Sequence, residues 1–208
     1  QRRGGSNYFA LDVTNKASPV FLWKATADTL PRIGETWSTP QVTKVQVAGS
    51  SQSAGNDVLI FGGGYSAGQD TANDGTTAYT TDAVGNGLYI VDAVTGSLLW
   101  RAGGTGSGAT LELAAMNNAI PGDVRAVDFD GDGYTDRLYA GDMGGRVWRF
   151  DITHGNSAAT LVAGGVFANL GNAQDATHPV ATTRRFYYAP DVALARPRGQ
   201  AAFLALNI

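Results

Sequence analysis

Four aspartates stand close together in the nonapeptide DFDGDGYTD: Asp128, Asp130, Asp132 and Asp136 hold its positions 1, 3, 5 and 9, with Tyr134 at position 7. Hard divalent cations take several oxygen ligands, and this spacing offers alternate carboxylates plus a backbone carbonyl at Tyr134. Gly131 and Gly133 let the backbone curl so that the alternating side chains converge on one point. Carboxylates that converge repel one another, and a bound cation removes that cost. The number of protein oxygens and the loose geometry favour Ca2+ over magnesium. The plainer alternative is an acidic, solvated turn. The loop is not a standard EF-hand, because Tyr139 stands where the bidentate glutamate of such a loop would be and the flanks, VRAV and RLYAG, read as strands.

Other chemistry is weakly represented. With no cysteine, thiol catalysis, disulfides and thiolate zinc sites are excluded. His154 and His178 have no acids at metal-ligand spacing and read as ordinary loop residues. There is no nucleophile elbow and no P-loop, and FGGGYSAG runs from a strand into a polar loop without a helix start. Glu35 and Glu112, the only glutamates, form no evident acid–base pair. No catalytic residue is expected, and the chain reads as non-enzymatic. Tyr65, Tyr79, Tyr187 and Tyr188 fit either a contact patch or sheet packing.

The elements that must hold the acidic loop are strands. Across 208 residues, charged residues make up 16%, below the roughly 25% of an average domain, and 28 glycines mark many tight corners. A sequence pI near 5.2 argues against general nucleic-acid binding, and no apolar run is long enough to span a bilayer. Short apolar stretches rich in β-branched and aromatic residues recur between turn residues: NYFALDV, FLWKA, VTKVQVA, DVLIFGGG, GLYIVDA, SLLWRA, DRLYAGD, RVWRFDI, FYYAP and AAFLALN. One helical turn is expected, in LELAAMNNAI.

The strands repeat. Asp12 leads to Trp23, Asp92 to Trp100 and Asp142 to Trp148, and strands begin just after Pro40, Pro121 and Pro190. The expected fold is all-β, a modified and partial β-propeller of four-stranded antiparallel blades, with residues 1–208 forming a single domain or a fragment of a larger propeller, and a β-sandwich as the alternative. At roughly 40–50 residues per blade the chain would hold about four to five blades, the last unfinished. The acidic loop then joins two strands of a blade, where other units carry AGSSQSAGN or ARPRGQ.

The segments NYFALDVT, GETWSTPQV, DVLIFGGGY, LYIVDAVTGSLLW and VDFDGDGYTDRLYAGDMGGRVWRFDI resemble the C-terminal domain of the PilY family of type IV pilus biogenesis factors and tip-associated adhesins. The last segment is the most specific. The resemblance implies an exported β-propeller at the cell surface, pilus tip or outer membrane of a Gram-negative bacterium. Its implied partners are type IV pilus components (minor pilins) and host or surface ligands. It also implies calcium held by Asp128, Asp130, Asp132, the Tyr134 carbonyl and Asp136, with occupancy tied to pilus extension and retraction, twitching motility and attachment. No RGD tripeptide is present, so integrin binding does not carry over. Two rivals stay open here. DAVTGSLLW resembles the blade signature of quinoprotein dehydrogenases, and an integrin-like calcium propeller would serve as a plain adhesion module.

Overall fold

The computed structural model describes residues 4–50, 52, 54–71, 81–171 and 184–208. Their strands form four sheets that follow one another in chain order. A first hairpin pairs β1 (Tyr8–Asp12) with β2 (Val20–Ala25). The second sheet is an antiparallel meander of β3 (Gln41–Val45), β4 (Asn56–Gly62), β5 (Gly87–Asp92) and β6 (Leu98–Gly103), with the short β7 (Leu111–Glu112) added parallel to β6. A single helical turn, α1 (Gly68–Thr71), lies between β4 and β5. The third sheet repeats the meander with β8 (Arg125–Val127), β9 (Arg137–Gly141), β10 (Arg146–Ile152) and β11 (Val162–Asn169). A last hairpin pairs β12 (Asp191–Ala195) with β13 (Phe203–Asn207).

Side-chain alternation explains the stacking. Successive residues of a strand face opposite sides, and every residue of β5 is buried. Leu88 and Ile90 therefore join one core, with Val58, Ile60, Trp100, Leu138, Trp148 and Phe150, between the second and third sheets. Tyr89 and Val91 face the other way and meet Trp23, Leu30, Ile33 and Phe61 against the first hairpin. The second sheet is thus covered on both faces, which a lone four-stranded sheet cannot achieve.

The Asp-x-x-Thr-Gly turn after β5 serves this stacking. One Asp92 carboxylate oxygen accepts the Val94 and Thr95 amides and the Thr95 hydroxyl, at 3.0, 2.8 and 2.9 Å. Trp23 of the preceding sheet lies over the turn and donates its indole N–H to the Ala93 carbonyl at 3.0 Å. A Cβ on Gly96 would stand 2.6 Å from that indole. The signature shared with quinoproteins is therefore accounted for here by turn capping and sheet packing.

The four-stranded antiparallel units are present in the second and third sheets, and the all-β class holds, but the stack does not show a closed ring. Three expectations need correction. The hairpins β1–β2 and β5–β6 end on Trp23 and Trp100, whereas Trp148 sits on β10, the third strand of its sheet, and the unpredicted β11 follows it. Asp142 does not correspond to Asp12 and Asp92. Instead it closes the tight β9–β10 turn with a fully buried carboxylate, which accepts the Gly144 amide at 2.9 Å, the Arg146 amide at 2.8 Å and the Trp148 indole N–H at 2.9 Å. LELAAMNNAI forms β7 and turns rather than a helix, and FYYAP forms no strand. Tyr79 and His178 lie outside the described residues.

Candidate metal centre

The acidic loop spans the β8–β9 connection, the position held by the β3–β4 and β12–β13 links in the other sheets. Its curl comes from side chains capping backbone amides. Asp128 accepts the Gly131 amide at 2.7 Å and the Gly133 amide at 2.8 Å, and Asp136 accepts the Phe129 amide at 2.6 Å. Gly131 and Gly133 take φ of 86° and 89°, the left-handed region in which a side chain would be strained. The Gly133 and Gly131 amides hold the Asp128 carboxyl below its ordinary value, which keeps it ionised.

Ligand oxygens of Asp128, Asp130 and Asp136 all lie within 4.8 Å of one another, the first two exposed and Asp136 half-buried. Three convergent carboxylate oxygens beside open solvent fit a hard dication that completes its shell with carbonyls and water. Asp132 stands outside this group and accepts the Tyr134 amide at 2.8 Å. Tyr134 turns its hydroxyl to the Ala54 carbonyl at 3.1 Å.

Sequence reasoning set His154 aside, yet the fold brings it to the loop. The Ile152 amide donates to the Asp136 carbonyl at 2.7 Å, so the chain leaving β10 runs beside the loop. His154 Nδ1 accepts the Gln46 amide at 3.2 Å, which puts the proton of a neutral ring on Nε2. That buried Nε2 lies 3.7 Å from Asp136 Oδ1. An 18-residue separation in sequence hid this pairing, and no local spacing would have found it.

The loop also fastens the second sheet to the third. The Thr135 amide donates to the Lys44 carbonyl at 3.0 Å, and the Thr135 and Thr43 hydroxyls meet at 2.6 Å. Gly55 in the β3–β4 link packs against the Tyr134 ring so closely that a Cβ there would come within 2.4 Å of it. Clustered carboxylates and inter-sheet contacts therefore alternate along one short stretch: Tyr134 and Thr135 hold the neighbouring sheet, while Asp136 belongs to the carboxylate cluster.

No family model matches the chain. It is 30% identical over 154 residues to the type IV pilus biogenesis factor PilY1 of Pseudomonas aeruginosa strain PAO1, covering 74% of this chain and 11% of that protein. A PilY1 homologue of Xylella fastidiosa is 28% identical over 157 residues, covering 72% of this chain and 9% of the relative. The chain thus spans about a tenth of the length of these relatives. The crystal structure of the P. aeruginosa PilY1 C-terminal domain superposes with a TM-score of 0.66 at 23% identity, covering 98% of this chain and 38% of the other. No helix among the described residues is long and apolar enough to cross a membrane. Part of the PilY1 C-terminal domain shares the fold of this chain, and by its sequence relatives the chain belongs to the PilY family of type IV pilus biogenesis factors.

Proposed function

We propose that this chain is a calcium-binding, non-enzymatic segment of a β-propeller that works in type IV pilus biogenesis. The observation that carries the reading is the three-carboxylate cluster on a loop that joins two sheets, in a chain related to pilus biogenesis factors. Two four-stranded meanders, flanked by two hairpins and stacked in chain order, are what consecutive propeller blades look like. The calcium ligands would be Asp128, Asp130 and Asp136, with Asp132 rotating in and the Tyr134 carbonyl closing the shell. His154 would orient Asp136 through Nε2–H, as outer-shell partners of metal ligands do.

Occupancy would tighten the joint between the second and third sheets, because Tyr134 and Thr135 hold that joint from inside the loop. In the longer protein this would let calcium set the balance between pilus extension and retraction, and with it twitching motility and surface attachment. Pilus components such as minor pilins, together with surface ligands, would be the partners, and the protein would be exported to the cell surface or outer membrane. The experiment is Asp130→Ala in the full-length protein, read as twitching and surface pili at controlled calcium. The reading expects the variant to behave like calcium-starved wild type at every calcium level. A variant that still responds to calcium would overturn it.

A further inference from the structure

Three segments that lead into the first strands of the second, third and fourth sheets come together away from the metal loop. Trp37 and Thr39, Pro121 and Asp123, and Tyr187 and Tyr188 line a cleft of about 280 Å3. Its frame is built from contacts. Asp123 Oδ1 accepts the Thr39 amide at 2.5 Å, and the Trp37 ring packs on Tyr65 with centroids 5.2 Å apart. The Gly122 backbone lies so close to the Tyr187–Tyr188 backbone that a Cβ there would meet the Tyr188 carbonyl group at 3.0 Å.

The cleft presents aromatic surface to water, since Tyr187 is 41% and Tyr188 84% exposed. Exposed aromatic rings gathered in a concave cleft around a carboxylate are the lining a small-molecule site uses. Among the described residues no Lys, Arg or His lines it. Arg125, in the adjoining smaller cleft, is held by Asp191 and by the Pro190 carbonyl, each at 3.2 Å. The negative faces of aromatic rings attract a cation, and a neighbouring carboxylate adds a full charge. Two of the polar groups here are already engaged, Asp123 Oδ1 by the Thr39 amide and the Trp37 indole N–H by Glu35, which leaves few free to bind the several hydroxyls of a sugar. A quaternary ammonium group has no hydrogen bond to satisfy and needs only this potential. The geometry points to the Trp37–Asp123–Tyr188 cleft as a binding site for a quaternary ammonium group of the choline type.

The test is a ligand-observed NMR titration of the calcium-loaded chain with choline, beside its neutral isostere 3,3-dimethylbutan-1-ol, at fixed ionic strength. Choline is expected to bind saturably and the isostere several-fold more weakly. Asp123→Asn keeps the acceptor for the Thr39 amide, and Tyr188→Ala alters an exposed side chain, so both should fold. Each should weaken choline by about threefold or more. A matching set of phosphatidylcholine and phosphatidylglycerol vesicles tells a lipid head group from the free ligand. Equal binding of the isostere, displacement of choline by methyl glucoside, unchanged affinity in both variants, or no saturable choline signal would each overturn the assignment.

Discussion

Replacing Asp142 by alanine probes the joint that sequence reasoning mistook for a repeat. The carboxylate is fully buried and accepts the Gly144 and Arg146 amides and the Trp148 indole N–H, with the Arg146 guanidinium 3.8 Å away. Alanine would leave three donors without an acceptor inside the third sheet. Each orphaned donor costs about 1–3 kcal/mol, and neighbours that relax together do not add fully, so the loss should be roughly 3–5 kcal/mol. At this chain length about 2–4 °C of melting temperature goes with each kcal/mol, giving a drop on the order of 10 °C. Asp142→Asn keeps one acceptor oxygen but turns an NH2 toward the indole or an amide, and should cost roughly 1–3 kcal/mol. Burial pushes the Asp142 carboxyl above its usual value despite hydrogen bonds from Arg146 and Trp148. A carboxyl raised on folding contributes stability that is full below its unfolded pKa and lost as pH rises through the folded one. The alanine variant should therefore trail wild type most at acid pH, with the gap narrowing toward neutrality. Urea midpoints and thermal melts across pH measure this. A loss below about 1 kcal/mol at every pH would refute the argument that this carboxylate holds the turn.

The remaining predictions concern the loops. His154→Ala removes the group facing Asp136 and should lower calcium affinity by about tenfold, measured by competition with a chelator; unchanged affinity would leave His154 a packing residue. Gly55→Ala pushes a methyl into the Tyr134 ring and adds strain at a φ of 83°, so it should weaken calcium binding from outside the loop, again by chelator competition. Asp132→Asn should weaken calcium less than Asp130→Ala, because Asp132 lies outside the three-carboxylate cluster and accepts the Tyr134 amide instead. Glu112 accepts the Gly106 amide at 2.9 Å and the Gly108 amide at 2.7 Å, and these bonds hold its carboxyl below the usual range. That contribution is present above the unfolded pKa and lost as pH falls through the folded one. Protection factors at Gly106 and Gly108, taken against the intrinsic exchange rate at each pH, should fall on acidification, and in Glu112→Ala already at neutral pH.

The sequence carried the strands wherever apolar residues ran unbroken, as in GLYIVD and RVWRFDI, and the clustering of Asp128, Asp130 and Asp136 was legible because they lie within one short loop. The phase of the repeat was harder. LYIVD and LYAGD look alike, but the first is the third strand of its sheet and the second the second strand, so the Trp residues that follow fall on different strands. Strand β11, VAGGVFAN, was missed because Gly164 and Gly165 interrupt its apolar run. FYYAP has strand composition, yet its tyrosines are spent on the cleft beside Asp123. The role of His154 depends on β10 returning past the loop, a contact between residues 18 apart that only the sheet register creates.

The central claim is that the β8–β9 loop binds calcium. Calorimetric titration of the metal-stripped chain with calcium, run beside Asp130→Ala, tests it directly. The account predicts saturable binding near one ion per chain, lost in the variant, with a rise in melting temperature on loading. No binding heat and no thermal shift would contradict it, reducing DFDGDGYTD to an acidic turn held by its own amides.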